Sequence, residues 1–270
     1  MSEEESLKSA LAGLGLAGIR YHERVGSTNA DAMAWLNQGA PDLALVAADE
    51  QTAGRGRFNR RWVTRPGAAL AFSLVLRPAA AEAARFGFFA PLGALGVAEA
   101  LEGLYGLAPR IKWPNDVLLD GRKACGILVE TAWEGASPQG VVVGIGVNVT
   151  PEAVPPAGEV IFPATSVEDA LGRPVERWEL LRAILAGMLA WRPRMGSPAF
   201  FAAWQDRLAF RGQAVRIVSG YPGQPDREGR ILGIDPDGSL RLAGADGAEF
   251  SVEVGDVHLR PAEGGALSPG

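Results

Sequence analysis

Two apolar runs of strand length, LALVAADE (residues 43–50) and ALAFSLVLRP (69–78), constrain this chain more than anything else in it. Both read as buried strands, so the chain must build a sheet around them. The roughly eighteen residues between them are too many for a turn, and loops of that length in compact domains are functional or disordered. This one begins QTAGRGRFNRRW (51–62) and gathers Arg55, Arg57, Arg60 and Arg61 around Gly54 and Gly56. The chain's formal net charge is −5, so solubility does not explain the cluster. Glycine lets backbone N–H groups turn inward, and arginine offers a planar fork of donors for carboxylate and phosphate oxygens. Two readings stand at this point: a solvated basic turn, or a loop that closes over a small, highly negative ligand.

Composition narrows the chemistry. At 270 residues with 47% hydrophobic content, the chain suits one large and one small globular domain. Mild acidity argues against bulk nucleic-acid binding. No uninterrupted apolar run approaches the ~18 residues of a membrane span. The start, MSEEESLKSA, lacks the cationic residues of a signal peptide. A single cysteine, Cys125, excludes an internal disulfide and fits a reducing cytoplasm. The two histidines, His22 and His258, have no Cys/His cluster around either, which argues against a zinc site and a histidine-based triad. Charge and positioning are left to do the work.

Read in order, residues 5–18 make a short helix and 19–25 a strand. Ser27-Thr28-Asn29 then precede the helix ADAMAWLNQG. They either cap that helix or present polar groups to a ligand at its N-terminus. Residues 82–105 have helical spacing, with Pro91 marking a break or a first turn. RIKWPNDVLLDGRKACGILVET (110–131) reads as strand, Pro-Asn turn, short strand, Asp-Gly hairpin and longer strand. Strict alternation in the last strand puts Lys123, Cys125, Ile127 and Val129 on one face. Ala124, Gly126, Leu128 and Glu130 fall on the other. Cys125 reads as a small core residue, and Lys123, just after the turn, as a surface lysine. VVVGIGVNV (141–149) is an apolar strand whose glycines mark a close approach, and Asn148 at its end needs a polar partner. A proline-rich connector (151–163) leads to the core helix WELLRAILAGMLAW (178–191) and a further helical stretch at 198–208. From residue 212 short strands alternate with Gly, Pro and Asp turns, which suggests a small antiparallel barrel.

Four segments thus hold unusual polar or glycine content: STN, QTAGRGRFNRRW, KWPNDV with Lys123, and GIGVN. In this order, and followed by a small barrel, the set resembles the biotin–protein ligases over about residues 19–260. GRGR, KWPND and KxxGIL are specific in combination, although lipoate–protein ligases share the fold. The resemblance implies an α+β fold: a class II synthetase-like mixed sheet flanked by helices, plus a small C-terminal SH3-like β-barrel. The expected divisions are an N-terminal segment (1–18), a catalytic domain (19–210), the barrel (211–261) and a flexible tail (262–270).

The activity it implies has two steps. The biotin carboxylate attacks the α-phosphate of MgATP to give biotinyl-5′-AMP and pyrophosphate. A lysine of a biotin carboxyl carrier protein then attacks the acyl carbon and AMP leaves. Substrates supply both nucleophiles, so the enzyme must relieve charge repulsion and shield a reactive anhydride from water. Carried over by motif, Ser27, Thr28, Asn29, Gln51, Arg55, Gly56, Arg57, Lys123 and Gly126 line the biotin site. Arg57 and Lys123 are then the catalytic pair, which displaces the surface reading of Lys123. Arg60, Trp62, Lys112, Asn115 and Asn148 fall on the ATP side. Asp116 is the carboxylate best placed to meet Mg²⁺. Gly144 and Gly146 would let a ligand approach the sheet.

Two departures accompany the resemblance. Asn59 stands where the family usually has a second loop glycine; asparagine tolerates a left-handed conformation best among non-glycine residues. About twenty residues precede the first strand, too few for a winged helix-turn-helix, so DNA binding is not expected. Mild acidity, no membrane span and one thiol fit a cytoplasmic enzyme, monomer or homodimer. Lipoate ligation on the same fold and a non-catalytic phosphate- or RNA-binding module are the rival readings.

Overall fold

Side-chain alternation explains how the large sheet acquires one covered face and one partly open face. The computed structural model describes residues 1–62, 64–79, 82, 85–135, 137–156, 162–219, 226–253 and 257–261. Its larger sheet contains β1 (Gly18–Val25), β2 (Ala44–Gln51), β3 (Ala69–Leu76), β4 (Arg110–Lys112), β5 (Asp116–Leu119), β6 (Arg122–Glu134) and β7 (Ser137–Asn148). They lie in the order β1-β2-β3-β7-β6-β5-β4. β1 and β2 are parallel, joined by the crossover helix Thr28–Asn37; every other pair in this sheet is antiparallel. The mixed sheet expected from the sequence is therefore present.

The helices are α1 (Glu3–Ala10), α2 (Thr28–Asn37), α3 (Phe89–Tyr105), α4 (Val167–Leu171), α5 (Arg177–Trp191) and α6 (Pro198–Asp206). On β2, β3 and β7 the residues Leu45, Ala47, Leu70, Phe72, Leu74, Val143, Ile145 and Val147 join the main core with α3 and α5. Their alternates Ala44, Val46, Val75 and Val142 pack instead against Ala32 and Leu36 of α2. Period-2 alternation thus feeds two helical layers. α2 spans only ten residues, so it covers part of its face. Ser73, Gly144, Gly146 and Asn148 continue that face on the same strands.

Pro91 lies in the first turn of α3, where its missing N–H costs no helical hydrogen bond. The stretch Phe86–Tyr105 is long and apolar enough to cross a membrane by length and composition, although Glu99 and Glu102 interrupt its apolar run. Here it is mostly buried, between the sheet and α5, as a core helix. The first eighteen residues are more closely tied to the fold than a separate segment would be. Leu7 and Leu11 enter the main core, and Glu3 accepts from Arg177 at 2.6 Å and from Trp178 Nε1 at 2.9 Å.

A second, five-stranded sheet is wholly antiparallel, in the order β11-β10-β9-β8-β12. Its strands are β8 (Ala214–Ser219), β9 (Arg227–Ile234), β10 (Leu240–Ala243), β11 (Glu249–Val252) and β12 (Val257–Pro261). The indole N–H of the fully buried Trp113 donates to the Gly238 carbonyl in its β9–β10 turn at 3.1 Å. The expected tail, 262–270, lies outside the described residues.

Candidate active site

Where α2 stops covering the sheet, a cavity of about 460 Å³ opens between its N-terminus and the arginine loop. A ladder of register partners crosses its floor: Lys112 faces Asp116, Asp116 faces Gly126, Gly126 faces Gly146 and Gly146 faces Ala71. Small residues in the middle make the floor flat, and charges gather at one end. A Cβ on Gly144 would stand 1.9 Å from Asn29 Oδ1, and one on Gly146 would stand 2.4 Å from the Trp62 ring. The strand glycines thus make room for two cavity side chains, where the sequence led us to expect a ligand.

Lys123 points into this cavity because β6 is bulged. Val117 faces Cys125 and Leu118 faces Lys123, so Ala124 is the extra residue opposite β5. A bulge re-aims neighbouring side chains. Strict alternation would place Lys123 with Cys125 on the core side; the bulge moves it to the face of Gly126, whose Cβ would lie 3.1 Å from Lys123 Nζ. The backbone is held on its other side too, donating to Pro163 O at 2.8 Å and accepting from Thr165 N at 3.0 Å. Ala124 and Cys125 are both fully buried, and burial pushes the Cys125 thiol up, so it stays protonated and inert.

Asp116 sits between two ammonium groups: Lys123 Nζ lies 2.5 Å from Oδ1 and Lys112 Nζ 3.2 Å from Oδ2. Burial alone would raise its pKa, but the charges of Lys123 and then Lys112 outweigh it and hold the carboxyl well below 3.8. Both carboxylate oxygens are engaged by cations, and the described residues contain no group of three or more His, Cys, Asp or Glu that could hold a metal ion. Asp116 is the counter-ion of the lysines. Lys112 also lies 4.9 Å from the centre of the Phe162 ring.

The arginine loop folds back on itself over the cavity. Arg55 bridges to Arg61, Gly56 N donates to Arg60 O at 2.7 Å, and Trp62 N donates to Gly54 O at 2.8 Å. The left-handed position of its turn is Phe58 (φ 57°, ψ 42°), one residue before Asn59, whose side chain lies outside the described residues. Arg55 and Arg57 are met by protein groups. Arg55 Nη2 lies 3.1 Å from Glu130, and Arg57 Nη1 donates to Asn115 Oδ1 at 3.3 Å. Asn115 in turn donates to Ile127 O at 2.7 Å. The indole N–H of Trp62 is buried without a hydrogen-bond partner, a donor held inside the cavity.

At the other end, Ser27 caps α2, its hydroxyl accepting from Ala30 N at 3.5 Å. Thr28 and Asn29 serve the cavity, so the capping and ligand-facing readings are shared out among the three. Gln51 Oε1 accepts from Thr28 N at 2.8 Å and from its hydroxyl at 3.0 Å, leaving N–H₂ as the donor end of Gln51. Asn29 Nδ2 donates to Glu130 at 2.7 Å and to Leu128 O at 3.2 Å, while its Oδ1 accepts from Ser73 Oγ at 2.6 Å. Asn148 finds its polar partner in Thr165 O, 3.0 Å away.

Every residue proposed for the site from sequence lines this one cavity: Ser27, Thr28, Asn29, Gln51, Arg55, Gly56, Arg57, Arg60, Trp62, Lys112, Asn115, Asp116, Lys123, Gly126 and Asn148. Sequence reasoning missed Phe162 in the lining, and Ser73 and Glu130 behind it. Ser73 carried a usable signal, a hydroxyl on an otherwise apolar strand. Phe162 closes a proline-rich connector and carried none.

A family model described as "Biotin/lipoate A/B protein ligase family" matches residues 21–148, and one described as "Biotin protein ligase C terminal domain" matches residues 210–260. The biotin–[acetyl-CoA-carboxylase] ligase of Paracoccus denitrificans is 39% identical over 236 residues, covering 84% of this chain and 94% of that protein. Its counterpart from Mycobacterium tuberculosis is 35% identical over 268 residues, covering 96% of each. Among solved structures, the biotin protein ligase from Aquifex aeolicus in complex with biotin and ATP superposes with a TM-score of 0.77 at 25% identity, covering 92% of this chain and 100% of that one. The chain belongs to the biotin/lipoate A/B protein ligase family. Within it, these full-length relatives are biotin ligases.

Proposed function

We propose that this chain activates biotin with ATP and transfers it to a lysine of a biotin carboxyl carrier protein. Relatives are named as biotin–[acetyl-CoA-carboxylase] ligases, and one observation of geometry supports the reading most. Lys123, fixed by the bulge and by Asp116, enters the cavity near the floor that Arg57 and Trp62 overhang. Cations placed there offset the repulsion between a carboxylate and a polyphosphate. In the first step a carboxylate oxygen of biotin bonds to the α-phosphorus, the α–β phosphoanhydride bond breaks, and pyrophosphate leaves with its electrons. In the second, the carrier lysine's amine bonds to the acyl carbon, loses a proton, and AMP departs.

In this reading Ser27, Thr28 and Gln51 orient the biotin head, Arg55 and Gly56 close over it, and Asn29 supports that end. Arg57 and Lys123 meet the reacting oxygens. Arg60, Trp62, Lys112, Asn115 and Asn148 form the nucleotide side, where the Trp62 ring lies against the flat strip at Gly126 and Gly146. A divalent ion in this scheme is held mostly by the nucleotide phosphates, with Asp116 the carboxylate of the cavity lining that would meet it. A reaction fed by ATP and a single buried thiol both suit the cytoplasm.

Pyrophosphate exchange into ATP tests the reading directly. Exchange should depend on biotin; exchange supported by lipoate alone would overturn the assignment. In the same assay Lys123→Ala should lower exchange by about 10²–10³-fold, with far-UV circular dichroism unchanged. Near-normal exchange in that variant would remove Lys123 from the reacting centre.

A further inference from the structure

Glu130 belongs to none of the motifs above and is not part of the cavity lining. Yet two parts of the biotin end meet on its carboxylate. It lies on β6 two residues beyond Leu128, on the face that carries Gly126. Its Oε2 accepts from Asn29 Nδ2 at 2.7 Å, and both oxygens lie 3.1 Å from Arg55 Nη2. The second Asn29 amide proton goes to Leu128 O, and Asn29 Oδ1 takes the Ser73 hydroxyl. Asn29 is therefore fully occupied by protein. It supports the wall and has no donor left for a ligand.

A carboxylate at this point can accept from both donors at once. An amide of the same shape would turn its own N–H₂ toward one of them. The anion also offsets one charge of a crowded arginine loop, and it links α2, β6 and the loop, three segments distant in sequence.

We propose that Glu130 is a positioning residue. It holds Arg55 and Asn29 in the arrangement used by bound biotin, and so governs biotin affinity without entering the chemical step. The proposal rests on the biotin-ligase reading. Preorganisation of this kind lowers the ordering cost of binding, so its loss belongs in the KM for biotin, leaving kcat intact.

Glu130→Gln removes the charge at nearly constant shape, and Glu130→Asp keeps the charge with a shorter reach. Glu228→Gln, on an exposed strand of the small sheet, controls for loss of a surface carboxylate. For each protein, exchange kinetics would give kcat and the KM values for biotin and ATP. Hydrogen exchange of residues 54–62 would be followed without ligand. Glu130→Gln should raise the biotin KM about tenfold, keep kcat and the ATP KM near wild type, and speed exchange of the loop. Glu130→Asp should fall between it and wild type in both readouts. A folded Glu130→Gln with unchanged biotin KM and loop exchange would overturn the proposal, as would a fall in kcat alone. Should Glu130→Gln melt out, Glu130→Asp decides by the same two measurements. Absence of biotin-dependent exchange in wild type would sink the functional reading, while loop exchange would still judge the Glu130 contact.

Discussion

Asp116 shows how much one buried side chain can carry. It pairs with Lys112 and Lys123 at once, and all three lie at one end of the sheet floor. Removing one member of a buried ion pair leaves an uncompensated charge and costs about 3–5 kcal/mol. Asp116→Asn should destabilise the protein by about that amount at pH 7, measured by urea unfolding. The pH dependence has a definite sign. The folded carboxyl titrates below its ordinary 3.8, so its contribution is complete above that value and is lost as pH falls through it toward the folded pKa. The stability gap between wild type and Asp116→Asn should therefore shrink at pH 3. A gap equal at pH 3 and pH 7 would show that the carboxylate is not what separates them. Lys123 teaches a related lesson. Its identity was readable from KACGIL, but alternation aimed it at the core, and one unpaired alanine reversed that direction.

At the scale of elements, β7 and the arginine loop fit each other. The face of β7 that carries Gly144 and Gly146 is low enough for Asn29 and the Trp62 ring to lie against it. Adding a methyl at Gly146 forces the ring to move, an overpacking that costs about 1–3 kcal/mol. Gly146→Ala should lose stability in that range on urea unfolding. It should also raise the KM for ATP more than that for biotin, because Trp62 sits on the proposed nucleotide side. Equal effects on both substrates would count against that division. The strands themselves were legible, since apolar alternation is local. The conformation of the loop was not. Arg55 and Arg57 find Glu130 and Asn115, 75 and 58 residues away in sequence. The left-handed residue is Phe58, where the motif had directed attention to Asn59.

Across the whole molecule, the small sheet touches the site through the motif that supplies Lys112 and Asn115. Trp113 stands between them in sequence, fully buried, and donates to the Gly238 carbonyl. Trp113→Phe keeps most of the packing and leaves that carbonyl without its donor, at a cost of about 1–3 kcal/mol. A fall in Tm of several degrees, with a higher KM for ATP, is the expected result. An unchanged KM for ATP would mean that the contact joins the two sheets without bearing on the site. The sequence alone determined which strands form, that a basic glycine loop joins two of them, and, by resemblance, which family's chemistry the motifs serve. Those properties live in short windows of residues. Tertiary structure decided where Lys123 points, that Asp116 pairs with both lysines, and that Ser73 and Glu130 stand behind Asn29. Register between strands and partners up to 101 residues apart settle those points, and no local pattern encodes either.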